Sequence, residues 1–160
     1  MDGSFNYSGP MLSAAPLLEH VADVLVRVTA PTVVSASRRV IGITGGEVQG
    51  PNLRGEVLAG GADFQVIRAD RTNELEARYV IETDSGALIY VINTGFRHGP
   101  AETMERLLRG EAVDPALIYF RSTPRFETEA AEYQWLTKNV FVGTAVRRPD
   151  SVELAIFQVL

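Results

Sequence analysis

Cysteine is absent from this chain of 160 residues, and lysine occurs once, at Lys138. Without cysteine there is no disulfide framework, no thiolate nucleophile and no zinc site of the cysteine type. Fifteen basic residues stand against 20 acidic ones, for a net charge of −5. No basic block can neutralise a row of phosphates, so nucleic-acid binding is not expected. Long apolar runs are missing too: none approaches the roughly 20 residues of a membrane span. The stretch from Met1 to Pro10 lacks the basic and apolar regions of a secretory signal, and a cytoplasmic location is expected. The two histidines, His20 and His98, have no HExxH spacing, which argues against a histidine-based zinc site; a carboxylate-bound metal stays open. No GxSxG or P-loop occurs, and Gly45-Gly46 and Gly60-Gly61 do not fit a dinucleotide fingerprint. Triad hydrolases, P-loop enzymes and Rossmann dehydrogenases are therefore poor candidates, and no cofactor is expected.

What remains is a chain of short strands. Apolar residues make up 46% of it and charged residues 22%, the composition of one ordinary globular domain. Residues 1–16, rich in Gly, Ser, Asn and Pro at their start, are expected to form a mobile arm, and residues 17–160 a single domain. Alternating or β-branched runs predict strands at Ala22–Thr29, Arg38–Ile43, Leu53–Leu58, Phe64–Asp70, Leu75–Thr83, Ala87–Thr94, Ala116–Ser122, Val140–Arg147 and Val152–Val159. One helix is expected near Pro100–Arg109, with Pro100 at its start, acidic Glu102 and Glu105 near its N-terminal end, and Gly110 to terminate it. Thr128–Leu136 reads as a single helical turn or an irregular loop. Short strands between Gly/Pro turns predict an all-β, mainly antiparallel barrel or sandwich, with a closed barrel the preferred of the two.

The three strands from Phe64 to Thr94 form a meander joined by ADRTN and TDSG. Turns centred on Asp70-Arg71 and Asp84-Ser85 place Asp63 opposite Arg78, Gln65 opposite Glu76, and Glu76 opposite Asn93. One face then carries Asp63, Gln65, Glu76, Arg78 and Asn93. The other is apolar, with Leu75, Ala77, Tyr79 and Ile81 among its residues. In the simpler reading the polar face meets water. In the other it lines a ligand cavity, where carboxylates near arginine and amide groups bind a polar ligand and move its protons. The apolar face then needs cover, which predicts a homodimer with two-fold symmetry. A second cluster, Tyr119 to Glu127, puts Tyr119, Arg121 and Thr123 on one strand face. It is either an edge strand with a surface ion pair or a barrel mouth where Arg121 and Glu127 touch ligand. Trp135, the only tryptophan, is a packing or rim residue.

Four segments together resemble the DUF3237 family, also called UPF0311, of small β-barrel proteins. They are ITGGEVQGPNLRGEVLAGGADFQ (Ile43–Gln65), LEARYVIETDSGALIYVINTGFR (Leu75–Arg97), YFRSTPRFET (Tyr119–Thr128) and WLTKNVFVG (Trp135–Gly143). Their order and spacing carry the resemblance over nearly the whole chain after Leu17. The chain departs from the family pattern at Phe64, where tryptophan is usual, at Glu76, where aspartate is usual, and in WLTK, where WLNR is usual. The resemblance implies a barrel of roughly eight or more strands and little about activity, because a fold does not give a reaction. It adds weight to a site made of Asp63, Glu76, Arg78, Asn93 and Arg121, which fall inside the shared segments.

These observations favour a cofactor-independent enzyme acting on a small organic molecule by proton transfer: an isomerase, dehydratase or cyclase, with specialised metabolism as the expected setting. Glu76 or Asp63 would be the acid or base, and Arg78, Asn93 and Arg121 would bind substrate oxygen, with Gln65, Tyr119, Glu127 and Trp135 around them. Asp63 is expected to pair with Arg78, leaving Glu76 beside the neutral Gln65 and Asn93, with a pKa that rises if the site is dry. A ligand-binding barrel without turnover is the alternative, and a structural or partner-binding protein a third.

Overall fold

The computed structural model describes residues 15–160; most of the expected arm, residues 1–14, lies outside the described residues. Ten strands follow the chain as β1 (Leu18–Val28), β2 (Thr32–Ser35), β3 (Arg38–Gln49), β4 (Gly55–Val57), β5 (Ala62–Ile67), β6 (Asn73–Thr83), β7 (Leu88–His98), β8 (Tyr119–Glu127), β9 (Phe141–Arg147) and β10 (Ser151–Val159). Every pairing is antiparallel, and the wall runs β1-β10-β9-β8-β7-β6 and back through β5 and β3 to β1. This closes an eight-stranded barrel. The two additional strands are β4, which pairs with β3 and β6 beyond the end of β5, and β2, which folds back on β3.

Strand β3 runs past its expected end at Ile43 and straight through Gly45-Gly46. At Gly46 the backbone of β1 comes so near that a Cβ would sit 1.9 Å from the Leu25 carbonyl. The glycine thus marks a close approach of backbones inside a strand. The expected helix forms as α1 (Ala101–Leu108), with Pro100 before it and Gly110 at φ 79 after it. The stretch expected to be a helical turn or loop is a 3₁₀ segment, Ala131–Thr137.

The barrel interior has two halves of different chemistry. One is a packed apolar core that includes Val24, Ile81, Ile89, Phe126, Phe141 and Ile156. Leu136 and Trp135 of the 3₁₀ segment close this end, with Trp135 and Phe141 ring centroids 5.9 Å apart. The other half is polar and lies toward the end where β5 stops, β6 starts and β7 stops. Helix α1 sits at that end: its Glu105 carboxylate lies 3.7 Å from Arg71, which is in the β5–β6 turn, and its Met104 is fully buried.

The two meander turns decide which side chains enter the barrel, and each holds one residue more than the sequence suggested. Arg68 donates its amide to Thr72 at 2.9 Å, and Arg71 donates its amide to Arg68 at 3.0 Å. Ala69, Asp70 and Arg71 therefore form a three-residue loop, with Arg71 at φ 70. The second turn repeats this design. Thr83 donates to Ala87 at 2.9 Å, Gly86 donates to Thr83 at 2.8 Å, and Gly86 takes φ 82. A register step of one residue sends every side chain of a strand to the opposite face. Asp63 accordingly stands opposite Ala77, and Ala77 opposite Asn93.

Three expectations fall with that register. Glu76 and Arg78 do not share a face with Asp63 and Asn93; they pair with each other on the outer wall, with side chains 42% and 44% exposed. Asp63 does not pair with Arg78. Leu75, Ala77, Tyr79 and Ile81 point into the barrel, so they are not an uncovered apolar face, and the reasons drawn from them for a dimer or a partner interface disappear.

Candidate functional site

The polar half of the barrel holds a cavity of about 50 Å³. By the usual measure of about 10–15 Å³ per water centre, that is room for a few waters or for one small ligand group. Asp63 and Gln65 enter from β5, Tyr79 from β6, Asn93 and Arg97 from β7, and Ser122 from β8, with Arg147 from β9. Ala77 and Gly95 leave the middle of the wall free of bulk. At Gly95 a Cβ would lie 2.3 Å from the Arg121 carbonyl, so the site keeps a bare backbone there. The opposite wall is apolar, formed by residues such as Val26, Ile41 and Leu154.

Asp63 is fixed by two donors. The Gln65 side-chain amide donates to its Oδ2 at 2.7 Å, and the Glu76 backbone amide donates to its Oδ1 at 3.1 Å. Burial nonetheless raises its pKa above the ordinary 3.8, against the opposing pull of Gln65, Arg97, the Glu76 amide and Arg147. Arg97 is buried at 3% exposure. Burial brings its pKa down to about 10, the Asp63 charge resists that fall, and Arg147 and Arg39 add to it. It stays a cation at neutral pH. Burial also lowers Arg147, against the pull of Asp63 and Asp150.

Arg97 is oriented from two sides. Its guanidinium carbon lies 5.4 Å from the Phe120 ring centroid. With the Asn73 amide turned to satisfy both of its ends, Asn73 Oδ1 accepts from Arg97 Nη2 at 2.8 Å and Nδ2 donates to the Arg71 carbonyl at 3.2 Å. The rest of the cluster is under-used. Tyr79 Oη, Asn93 Oδ1, Arg97 Nε and Ser122 Oγ are all buried without a hydrogen-bond partner among the described residues. Buried polar atoms are rarely left so, and several around one cavity point to waters or a ligand. Chemically, the arrangement sets a carboxyl of raised pKa across a small space from guanidinium, hydroxyl and amide groups.

Of the residues expected at a site, Asp63, Gln65 and Asn93 meet in this cavity. Tyr119, Arg121 and Thr123 do share a strand face, but it is the outer one. Tyr119 stacks on His98 with centroids 4.8 Å apart, and Arg121 lies 5.4 Å from the Tyr119 ring centroid. With Glu76, Phe64 and Phe96 they line a groove on the outer wall, which shares Leu75, Gly95 and Ser122 with the cavity lining. Glu127 is exposed, and Trp135 packs at the apolar end. The sequence reading missed Tyr79, Arg97, Ser122 and Arg147. Arg97 was within reach, because Asn93, Gly95 and Arg97 alternate along β7; the expected strand stopped at Thr94, three residues short of it.

A family model described as "Protein of unknown function (DUF3237)" matches residues 16–159. The chain belongs to the DUF3237 family. A UPF0311 protein of Rhodopseudomonas palustris is 54% identical over 123 residues, covering 77% of this chain and 80% of that one. The crystal structure of a conserved protein of unknown function from the same organism aligns with a TM-score of 0.90 at 47% identity, over 93% of this chain and all of that one. A structure described as an enzyme from Penicillium herquei shares the fold at 23% identity and a TM-score of 0.69, over 94% of this chain and 99% of that one. Among the described residues, no helix of this DUF3237 chain is long and apolar enough to cross a membrane. No three His, Cys, Asp or Glu side chains among them form a metal-binding group.

Proposed function

We propose that this protein is a cofactor-independent enzyme that moves a proton on a small organic molecule, in the class of isomerases, dehydratases or cyclases. The observation that carries the reading is Asp63: a half-buried carboxyl of raised pKa faces a cavity that also presents Arg97, Arg147 and unpartnered hydroxyl groups. A general base works best when its pKa is drawn toward the operating pH, and burial does that here. In the proposed reaction the Asp63 carboxylate takes a proton from a carbon next to a carbonyl. The electron pair of that C–H bond moves to the carbonyl oxygen as an enolate, which Arg97 and Ser122 hold by charge and hydrogen bonding. Asp63 then returns the proton to another carbon or to a departing oxygen. Glu76, on the outer wall, has no part in it.

The test is hydrogen exchange. Small carbonyl compounds incubated with the protein in heavy water should lose C–H signal by NMR, and Asp63→Asn should stop the loss. Binding without exchange in both proteins would support the alternative, a ligand-binding barrel with no turnover, for which the same unpartnered atoms speak. A cytoplasmic setting remains part of the proposal. So does a homodimer, now with outward Phe64 and Phe96, 42% and 47% exposed, as the surface a second copy would cover; light scattering showing a monomer at high concentration would remove it.

A further inference from the structure

The polar cavity carries more positive charge than its own residues balance. Seven arginines of the described chain have a carboxylate within 4.0 Å, and all of them lie at the surface: Arg27, Arg68, Arg71, Arg78, Arg106, Arg109 and Arg148. The three that enter or border the polar half of the barrel, Arg39, Arg97 and Arg147, have no such neighbour among the described residues. Their anionic company is Asp63, which acts on Arg97 and Arg147 through the field and not through a direct bond, and Asp150 beside Arg147. Arginine does not escape a dry site by losing its proton, as lysine can. An unpaired buried cation is costly, and a site that keeps one is built around something that neutralises it.

The free hydrogen-bonding atoms have the same bias. Arg39 Nε and Arg97 Nε can only donate, Tyr79 and Ser122 carry hydroxyls able to donate, and Asn93 Oδ1 alone can only accept. Arg97 gives an Nη2 hydrogen to Asn73 and has its face covered by Phe120, while its buried Nε–H has no partner among the described residues.

We propose that the cavity binds the anionic end of its ligand, a carboxylate held between Arg97 and Arg147 with Ser122 and Tyr79 as further donors. The small free space suits a group of this size, with the remainder of the ligand lying along the apolar wall of Val26, Ile41 and Leu154. The inference rests on the reading of this cavity as the functional site, and it deepens that reading by giving the ligand's charge; it does not require turnover.

Sodium acetate and acetamide are the probes, titrated by calorimetry and by thermal shift at constant ionic strength set with sodium chloride. Acetate should bind saturably and raise the melting temperature, and acetamide should do neither. Arg97→Gln should weaken acetate by about tenfold or more, since it removes a buried charge and its Nε–H donor. Arg147→Gln, at a less buried position, gives the same readout where Arg97→Gln fails to fold. Asp63→Asn removes the opposing charge and should tighten acetate severalfold, a gain that a merely structural role of Asp63 would not produce. Acetate binding no better than acetamide, or acetate binding unchanged in both arginine variants, overturns the proposal. The catalytic reading fails separately: acetate bound without proton exchange on any carbonyl compound leaves an anion-binding barrel. Exchange on neutral ketones by a protein that ignores acetate leaves the enzyme and removes the anion.

Discussion

The Gln65 side chain donates to the Asp63 carboxylate at 2.7 Å from two residues along the same strand, and both point into the barrel. That contact favours the charged form of Asp63, yet burial outweighs it and the pKa is raised. A carboxyl whose folded pKa exceeds its unfolded value binds more protons when folded. Its stabilising contribution is therefore fully present below about 3.8, the unfolded value, and is lost as pH rises through the folded pKa. Asp63→Asn cannot titrate there. The wild type should gain stability relative to Asp63→Asn as pH falls through that window. Urea denaturation of both proteins from pH 7 to pH 3.5 reads the difference, and a constant gap would remove the raised pKa.

Tyr79 tests whether the unpartnered atoms serve a ligand. Its ring is part of the apolar core, while its hydroxyl reaches the cavity without a partner, and burial pushes its pKa up. Removing a buried hydroxyl that satisfies nothing costs little or helps, whereas leaving one unpaired costs about 1–3 kcal/mol. Tyr79→Phe should thus match or exceed the wild type in thermal stability while weakening whatever binds in the cavity. A clear loss of stability would mean that the hydroxyl holds a structural water.

The barrel was legible because its evidence is local and repeated: alternation, β-branched residues and glycine-marked turns survive small errors in strand ends. The site was legible only in part because it depends on parity, which one residue inverts. Asp63, Gln65 and Asn93 stayed on the expected side, since the two register steps cancel between β5 and β7. Glu76 and Arg78, on β6 between them, reversed. The ADRTN turn gives little warning, because the left-handed position is taken by Arg71 and not by glycine. In TDSG the glycine does mark it, at Gly86.

Glu76 and Arg78 form an ion pair on the outer wall, where solvent screens it. Pairs so exposed contribute about 0–1 kcal/mol. Glu76→Gln should leave folding within that margin and leave proton exchange or ligand binding in the cavity intact, since only the Glu76 backbone amide touches Asp63. Loss of activity with folding preserved would return the outer groove to consideration as the site.

The two turns give a last prediction, because the site exists only in their register. Arg71 holds φ 70 with a side chain attached, a conformation in which its Cβ crowds the following carbonyl. Its 3.7 Å contact with Glu105 is half exposed and offsets little of that cost. Arg71→Gly relieves the crowding and keeps the backbone bonds that define the loop, so it should raise stability by about 1 kcal/mol or leave it unchanged. Gly86→Val makes the opposite change at φ 82 and should lower stability by about 1–2 kcal/mol. Deleting Arg71 outright is a different perturbation. A two-residue loop would carry β6 over by one position, driving Glu76 and Arg78 inward and Leu75, Tyr79 and Ile81 out to water. The barrel has no space to pair those charges in its apolar half, so the deletion should unfold the protein. Circular dichroism and thermal denaturation of the three variants check the series. A folded deletion variant of normal stability would mean that the register is held by something other than this turn.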